Sequence, residues 1–520
     1  MKIKILISTI IVAFTLGSCS DFLDVKPMGK LIPDEASDLE NLLNNSNVYS
    51  YFFIDNNRGC SYAFLGDNLE MTKNVADFFY SSSSPNKDRY AAYTFYSPYI
   101  DPTGAVHYFW VWTYRAVGIF NNIIKGIEGL SDSETNYAKS IMAQAKAARA
   151  FSYLTAGIIY GPMWDPSGNN GTKVIPYRIE NDPNVGNPDL STTEELFNLV
   201  WEDLEYALKY IPDQVANPTR HNKAAVYATR ALWHMYKRDW PNMLTEADNA
   251  WKAAGNNADN LIYDMNNFSY KVVGTPPSDG TDHEVTLDLQ YKDATTEPFN
   301  EARGRETLYH RDVVEGTNSA RYPSQEWLNL FDTNKDLRYK LFVLKNHGYK
   351  NTTAGVNDGI RLFYYRGSKT KLSGGITYPE LLLMRAEAYA RTNKLSDALN
   401  DLNTLRKYRY VRVSGDPENI NDHPNGATLL TNQDLLIEEI LKERRREQPI
   451  ESYHRTVDLK RYVYDIGKAW SKTSITHYID TQAYTKDLTD KMAFTLPIDN
   501  GTITNNPQWG LTPYTGTWKP

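Results

Sequence analysis

Apolar residues recur at helical spacing over long stretches of this chain, and that pattern predicts a helix-rich fold. Residues 137–159 show it clearly, because Ile141, Ala145, Ala148 and Phe151 fall three or four positions apart. Gly161-Pro162 then ends the segment, as expected where a helix stops. The same spacing predicts helices over residues 38–43, 108–127, 191–210, 222–238, 242–254, 325–331, 379–392, 395–408 and 434–448.

Two long segments lack this periodicity. Residues 44–105 are rich in Asn, Ser, Tyr and Gly, and residues 255–320 contain Pro276-Pro277, Gly274 and Gly280. Such composition predicts loops, and long loops in a compact protein are usually functional or disordered. The first segment has too many aromatic residues to be a solvated linker. We therefore expect two loop-rich insertions that form a ligand-binding face on a helical scaffold.

Two of the predicted helix pairs share a sequence frame. Leu382-x-x-Arg385-Ala386-x-x-Tyr389 followed by Ala398-x-x-x-Leu402 has the spacing of a tetratricopeptide helix pair, in which small residues let two helices cross closely. Tyr227-x-x-Arg230-Ala231-x-x-His234 followed by Met243-x-x-x-Ala247 repeats the frame more loosely, with Trp240-Pro241 expected at the turn. Because the matches lie far apart, they predict degenerate helix pairs rather than a regular solenoid.

The first 18 residues have the pattern of an export signal. Lys2 and Lys4 precede an apolar run, and small residues come before Cys19. Leu16-Gly17-Ser18-Cys19 resembles the bacterial lipobox, which predicts lipidation at Cys19. The alternative is ordinary cleavage near Ser18. No later apolar stretch is long enough for a transmembrane helix, so a lipid anchor would be the only membrane attachment.

Composition excludes several classes of protein. A net charge of −7 argues against nucleic acid as a partner, because phosphate binding depends on clustered Lys and Arg. Two cysteines, Cys19 and Cys60, cannot form a disulfide framework and lack the spacing of a zinc site, so Cys60 is expected to be a buried thiol. No cofactor fingerprint occurs, and we predict neither a metal nor a cofactor.

Each catalytic or metal-binding motif that starts in this sequence lacks one or more of its required residues. His283-Glu284 lacks a second zinc ligand because position 287 is Leu, and Ser84-Pro85-Asn86-Lys87 lies in a Ser-rich loop. Asp332-x-Asn334-x-Asp336 lacks the Gly and Glu of a calcium loop, which favours a structural turn. The basic cluster at residues 442–446 is interleaved with Glu, so it predicts i,i+4 pairing along one helix. The chain is therefore predicted not to be an enzyme. A pair of carboxylates at the spacing of a glycosidase is the alternative that the sequence leaves open.

The aromatic residues of the insertions are the main candidates for ligand binding. Tyr is twice as common as Phe, at 37 against 18, and an amphipathic ring suits both the apolar face and the polar rim of a sugar. The alternative for each ring is a loop anchor packed on the helices, whereas Trp110, Trp201, Trp233, Trp251 and Trp327 are expected in the core. The candidates are Tyr80, Tyr90, Tyr93, Tyr96 and Tyr99 with Asp77, Asn86, Asp88 and Arg89 in the first insertion, and Tyr291, Phe299, Arg303, Arg305 and Tyr309 in the second.

Several recognisable segments occur in order along nearly all of the mature chain. They are Cys19-Ser20-Asp21-Phe22-Leu23-Asp24, then 145–154 leading to Tyr160-Gly161-Pro162, then 378–406, Glu443-Arg444-Arg445-Arg446-Glu447, Arg455-x-x-Asp458-Leu459-Lys460-Arg461, Leu496-Pro497-Ile498 and Asn506-Pro507. Together these segments resemble the SusD/RagB family. Ser452-Tyr453 replaces the Glu-Gly that the family usually has there.

The resemblance implies an all-α, SusD-like protein: a signal peptide at 1–18, a tether at 19–37 and one domain at 38–520, with halves at about 38–255 and 256–520. It also implies a non-catalytic outer-membrane lipoprotein facing the cell exterior. Such a protein captures a glycan and delivers it to a TonB-dependent SusC-like transporter. A peptide ligand, a surface glycan hydrolase or lyase, and a pure protein-interaction scaffold are the alternatives.

Overall fold

The computed structural model describes residues 33–50, 61–104, 107–273, 286–291, 304–312, 322–347, 350–351, 356–364 and 373–520. Over these residues the chain is helix-rich, which confirms the predicted fold class. The helices are α1 (Ala36–Leu42), α2 (Ser46–Tyr49), α3 (Lys73–Ser81), α4 (Asn86–Tyr93), α5 (Tyr108–Glu128), α6 (Asn136–Tyr160), α7 (Thr193–Tyr210), α8 (Lys223–Lys237), α9 (Trp240–Ala253), α10 (Ala258–Leu261), α11 (Gln325–Leu328), α12 (Leu337–Phe342), α13 (Tyr378–Arg391), α14 (Leu395–Arg409), α15 (Gly426–Leu429), α16 (Gln433–Glu447), α17 (His454–Tyr462) and α18 (Asn500–Thr504).

Short strands connect the helices and, in the described part of the chain, pair as two-stranded antiparallel ribbons. The ribbons are β1 (Leu69–Glu70) with β7 (Tyr322–Pro323), β2 (Lys173–Pro176) with β3 (Leu190–Thr192), β4 (Phe268–Val273) with β5 (Thr286–Tyr291), β6 (Thr307–Tyr309) with β12 (Ile376–Thr377), β8 (Val343–His347) with β11 (Ile360–Tyr364), β9 (Lys350–Asn351) with β10 (Val356–Asn357), and β13 (Ser474–Ile479) with β14 (Gln482–Asp487).

The long helices pack against one another around a continuous apolar core. α6 lies against α5 and α7, while α13 lies against α9, α14 and α16. Gly157 of α6 meets Leu196 of α7 so closely that a Cβ at Gly157 would lie 2.3 Å from Leu196 Cδ2. Small residues such as Gly157 and the fully buried Ala386 therefore set the spacing between helices.

The two helix pairs with the shared frame also share an ion pair. Arg230 of α8 binds Glu246 of α9 at 2.7 Å, and Arg385 of α13 binds Asp401 of α14 at 2.7 Å. Both arginines precede their partners by 16 positions, so the ion pair recurs in the same frame. The shared frame thus corresponds to two helix pairs that are each joined by an ion pair at the same relative positions. That they are tetratricopeptide pairs stays a prediction.

The first insertion contains more helix than its composition predicts. α3 and α4 lie within residues 44–105, which we expected to be loops. α3 buries Val75, Ala76 and Phe79, and the Thr72 side chain caps it by accepting the Val75 N–H. Each helix has only eight or nine residues, too few to show a clear period among so many polar side chains.

Several predicted boundaries differ from the structure. α9 begins at Trp240, so Pro241 lies in its first turn, where a missing N–H is tolerated, and not in the preceding turn. α7 begins at Thr193 rather than at residue 191, after a capping box formed by Thr192 and Glu195. α11 ends at Leu328 rather than at residue 331, and the second insertion holds the β4–β5 ribbon and β6.

The basic cluster of α16 is mostly buried, which corrects the prediction of pairing along one helix. Lys442 does bind Glu438 at 2.9 Å in the i,i+4 manner. The three arginines that follow are 3–8% exposed and mostly reach other elements. Their partners are Asp458 and Glu380 for Arg444, Asp67 and Glu326 for Arg445, and Glu443 for Arg446.

Four of the five tryptophans assigned to the core are buried: Trp110, Trp233, Trp251 and Trp327. Trp201 is partly exposed and lies 4.5 Å from Trp233, with Arg230 over its ring at 4.0 Å.

None of the helices in the described ranges is both long enough and apolar enough to cross a membrane.

Candidate functional site

An open cleft of about 510 Å³ lies where β1, β7, β11 and the β13–β14 hairpin converge. This volume falls in the range of about 300–1,000 Å³ that is usual for small-molecule sites. The cleft collects residues from both ends of the chain, from Asp67 to Asp480. Its polar lining includes Glu70, Lys73, Asn74, Asp358, Arg361 and Asp480.

Asp67 forms the charged base of the cleft. Arg455 donates to its two carboxylate oxygens at 2.6 and 2.8 Å, Lys472 Nζ lies at 2.6 Å and Arg445 at 3.2 Å. Burial alone would raise the pKa of Asp67, but these cations outweigh burial and hold the pKa well below its usual range. The carboxylate therefore stays ionised and ties β1 to α16, α17 and the start of the hairpin.

One wall of the cleft is held by Asp358. Its carboxylate accepts hydrogen bonds from Thr72 Oγ1 and from the Tyr322 hydroxyl, both at 2.8 Å. Glu70 lies beside this wall, where burial raises the pKa of its carboxyl while nearby Arg361 opposes the rise. Arg361 itself is exposed and lies over the Tyr322 ring at 5.6 Å. This wall thus presents both a hydrogen-bond donor and an acceptor to the cleft.

The opposite wall is the β13–β14 hairpin, which is fixed by stacked rings. His477 lies between Tyr93, at a centroid distance of 4.4 Å, and Phe95, at 4.5 Å. Its ring nitrogens face the carbonyl oxygens of Tyr93 and Gly66 at 2.8 and 2.9 Å. Successive strand residues point to opposite faces, so Tyr478 points outward and is 58% exposed at the rim of the cleft.

Of the sequence candidates that lie in the described ranges, Tyr93 is the one that lines this cleft. Its ring is buried, and its hydroxyl donates to the Tyr478 carbonyl at 3.1 Å. Tyr80 is 50% exposed and pairs with partly buried Tyr90 at 5.3 Å, outside the cleft. Tyr96 is partly buried against Trp518, and Tyr99 is buried.

The polar candidates of the first insertion have structural contacts. Asp77 binds Lys73 at 2.7 Å on the exposed face of α3. Arg89 is buried and donates to Asn86 Oδ1 at 2.5 Å. Asp88 accepts from Ser84 Oγ at 2.8 Å and from the Asp101 N–H at 3.1 Å. These contacts stabilise the α3–α4 segment.

The described members of the second group, Tyr291, Arg305 and Tyr309, do not line the cleft. Tyr291 packs on Tyr263 and Phe268, and exposed Arg305 lies over its ring. Tyr309 is fully buried against Phe151 and His221. Phe299 and Arg303 lie outside the described residues, as do Cys19 and Cys60. The buried tyrosines therefore have the packing of loop anchors, and ligand contact by the candidates stays a prediction.

Sequence reasoning missed Glu70, Asp358, Arg361 and Tyr478. One signal for Tyr478 was available, because Ile475, His477 and Ile479 occupy alternate positions, as on the buried face of a strand, which places Tyr478 on the other face. Glu70 lies far from Asp358 and Arg361 in the sequence. Only the folded chain brings them to one cleft.

No group of three or more His, Cys, Asp or Glu side chains among the described residues is arranged to hold a metal ion. The Asp332 side chain accepts the N–H groups of Asn334 and Lys335, which makes the local turn that was expected. Asp336 then caps α12 and binds Arg338 at 2.7 Å. The acidic residues of this segment are therefore used by the turn and the cap.

The fold defines a class of helical protein in which packed helix pairs form a scaffold and short strands line an open polar cleft. The model of the SusD family matches residues 245–513, more than half of the chain, and the chain belongs to that family. SusD-like protein P2 of Formosa agariphila is 24% identical over 252 residues, which span 47% of this chain and 45% of the relative. The match thus covers less than half the length of that relative.

Solved structures share the fold along almost the whole chain. A SusD superfamily protein of Bacteroides thetaiotaomicron aligns with a TM-score of 0.63 at 15% identity and covers 91% of this chain and 98% of its own. A protein of Bacteroides vulgatus described as a putative sugar binding protein aligns at 0.61 with 18% identity, over 92% and 98% of the two chains. A SusD-like carbohydrate binding protein of the same species aligns at 0.58 with 16% identity, over 94% and 100%.

Proposed function

We propose that this chain is a surface lipoprotein that binds an oligosaccharide in the cleft and delivers it to a SusC-like TonB-dependent transporter in the outer membrane. The observation that carries the proposal is the exposed ring of Tyr478 at the rim of a polar cleft in a SusD-family fold. Two solved structures of the same fold, described as a sugar binding protein and a carbohydrate binding protein, support this ligand class.

The lining of the cleft suits the chemistry of a sugar. A pyranose has apolar C–H patches, which stack on an amphipathic ring, and hydroxyl groups, which both donate and accept hydrogen bonds. Tyr478 offers the ring, Arg361 and Asn74 offer donors, and Glu70 offers an acceptor. The stacked His477 holds the hairpin in place, so binding would order few additional side chains.

A hydrolase is the alternative that one observation favours, since burial raises the pKa of the Glu70 carboxyl, as in a general acid. A glycosidase also needs a second carboxylate free to act as base or nucleophile. Asp67 is held by three cations, Asp358 accepts two hydrogen bonds, and Glu326 binds Arg445 and Lys472. Asp480, the remaining lining carboxylate, is exposed at the turn between β13 and β14. The contacts of the other three favour binding over catalysis.

The attachment to the membrane rests on the sequence at Leu16-Gly17-Ser18-Cys19. Mass spectrometry of the mature protein, made in a bacterium with a lipoprotein pathway, should show an acylated N-terminal Cys19. Cys19→Ala should move the protein from the membrane fraction to the soluble fraction. An unmodified N-terminus would contradict the lipid anchor and leave the binding proposal standing.

The ligand class is tested by calorimetry against a panel of oligosaccharides and peptides, with parallel chromatography of the mixtures. We expect at least one oligosaccharide to bind and to be recovered uncut. Recovery of shorter products, lost in Glu70→Gln, would establish the hydrolase instead. Binding confined to peptides would establish a peptide-uptake protein. Delivery is tested by copurification of the tagged lipoprotein with a TonB-dependent transporter, which a pure glycan-binding protein would not show.

A further inference from the structure

A second cavity, of about 460 Å³, lies at the end of α17, away from the polar cleft. Its walls are mainly apolar and include Met163, Leu488, Ala493 and Phe494, all buried. Ile466, 89% exposed, lies at the rim. An apolar chamber of this size is large enough for a small organic molecule.

Phe494 adds a second sign that the chamber is built rather than left by loose packing. It has a φ of 59° although it is fully buried, and bulky residues rarely adopt this left-handed conformation. The Leu496 N–H donates to the Ile159 carbonyl at 3.0 Å and fixes the chain just beyond it. Strained backbone of this kind persists only where the surroundings hold it, and it is frequent at ligand sites.

Lys460 is the buried polar group of the chamber, whose lining also includes partly buried Ser471 and exposed Thr473 and Thr489. Its side chain is buried, and Nζ donates to the carbonyl oxygens of Ile158 and Gly161 at 2.5 and 2.8 Å, at the C-terminal end of α6. An ammonium group has three N–H donors, so these carbonyls use two of them. Among the described residues Lys460 forms no ion pair, and burial lowers its pKa to about 7.

The other charged groups at the chamber already have partners. Lys491 binds Asp165, and Asp490 lies 3.5 Å from Lys486. Lys460 is therefore the lining cation that lacks a carboxylate partner in the described part of the chain. A buried ammonium is stable when an anion or further acceptors compensate for its lost hydration.

We propose that this chamber binds a small amphiphilic organic anion, with its apolar body against Leu488, Ala493 and Phe494 and its anionic group on the third N–H of Lys460. The site is separate from the polar cleft, so it does not depend on the function proposed above. The compact apolar walls favour a ring system over a sugar, whose hydroxyl groups would find few partners there.

Two fluorescent probes with the same rings test the proposal: 1-anilinonaphthalene-8-sulfonate and the uncharged N-phenyl-1-naphthylamine. At pH 6 the unaltered protein should bind one molecule of the sulfonate at least about tenfold more tightly than the uncharged probe. Ala493→Phe, which fills the chamber, should abolish binding of both. Lys460→Met, which keeps the length of the side chain, should remove the preference for the anion, whereas Lys491→Met should preserve it.

The two probes are compared in the unaltered protein, so the test does not depend on the folding of a variant. Equal affinity for the two probes would overturn the role of Lys460. Binding that persists in a folded Ala493→Phe protein would place the probes elsewhere and overturn the site. Absence of binding to either probe would also overturn it.

Discussion

Gly157→Ala should destabilise the protein only while Leu196 is present. A Cβ at position 157 would lie 2.3 Å from Leu196 Cδ2 and 3.6 Å from Leu196 Cγ. Carbon atoms in contact prefer about 3.5–4.0 Å, so Cδ2 would have to move by about 1.2 Å. Leu196 is 1% exposed, so the packed core between α6 and α7 resists that movement.

The expected magnitude follows from two opposing effects. Alanine in place of glycine inside a helix stabilises by about 0.5–1 kcal/mol, because it restricts the unfolded chain. Overpacking a core costs about 1–3 kcal/mol. We therefore expect Gly157→Ala alone to lower the free energy of unfolding by about 1–2 kcal/mol. Leu196→Ala alone should lower it by about 2–5 kcal/mol and remove the clashing atom.

In the Leu196→Ala background, Gly157→Ala should then stabilise by about 0.5–1 kcal/mol, so that its effect changes sign. Urea unfolding followed by circular dichroism on the four proteins of this double-mutant cycle measures the reversal. Additive effects, with Gly157→Ala destabilising equally in both backgrounds, would refute the close crossing of α6 and α7.

Three further changes test other parts of the structure. Ala386→Leu should lower the free energy of unfolding by about 1–3 kcal/mol, because Ala386 is fully buried where α13 meets its neighbours; an unchanged melting temperature would contradict that crossing. Asp67→Asn should lower the free energy of unfolding by about 3–5 kcal/mol, because three cations lose their carboxylate partner. Asp77→Asn, in an exposed ion pair, should lower it by less than about 1 kcal/mol. Similar urea midpoints for the two variants would disprove the Asp67 network. Burial lowers the pKa of Lys460 to about 7, so above pH 7 the unfolded chain binds more protons than the folded chain. The free energy of unfolding should therefore rise with pH by up to about 1.4 kcal/mol per unit between pH 7 and 10. Lys460→Met should lose this rise, and an unchanged pH slope in that variant would argue against the buried amine.

Helical periodicity predicted the scaffold because most of the long helices bury a regular face. α6, α7 and α8 begin and end within a few residues of the predicted bounds, since Gly161, Pro212 and Asn222 are strong local signals. α3 and α4 were not predicted, because a short helix in a Tyr- and Ser-rich segment shows no clear helical period of apolar residues. α17 was also missed: all nine of its residues are buried, which leaves no contrast between an apolar and a polar face.

The candidate site was harder to predict, for a physical reason. Composition can find an excess of tyrosine, but it cannot separate Tyr309, which is fully buried, from Tyr478, which is 58% exposed. Burial depends on contacts between distant segments, such as the pairing of β6 with β12. Arg444 and Arg445 show the same limit, because their carboxylate partners lie on other elements.

The central claim is that the polar cleft binds an oligosaccharide, and calorimetry of three tyrosine variants tests it most directly. Tyr478 lies at the rim of the cleft, Tyr80 lies outside it at 50% exposure, and Tyr137 is a matched control at 47% exposure. With an oligosaccharide established for the unaltered protein, Tyr478→Ala should weaken binding about tenfold or more, because a truncated hot-spot ring typically loses about 2 kcal/mol. Its melting temperature should barely change, and Tyr137→Ala should bind normally. Undiminished binding by Tyr478→Ala, with a loss in Tyr80→Ala instead, would contradict the cleft and place the site on the Tyr80–Tyr90 pair.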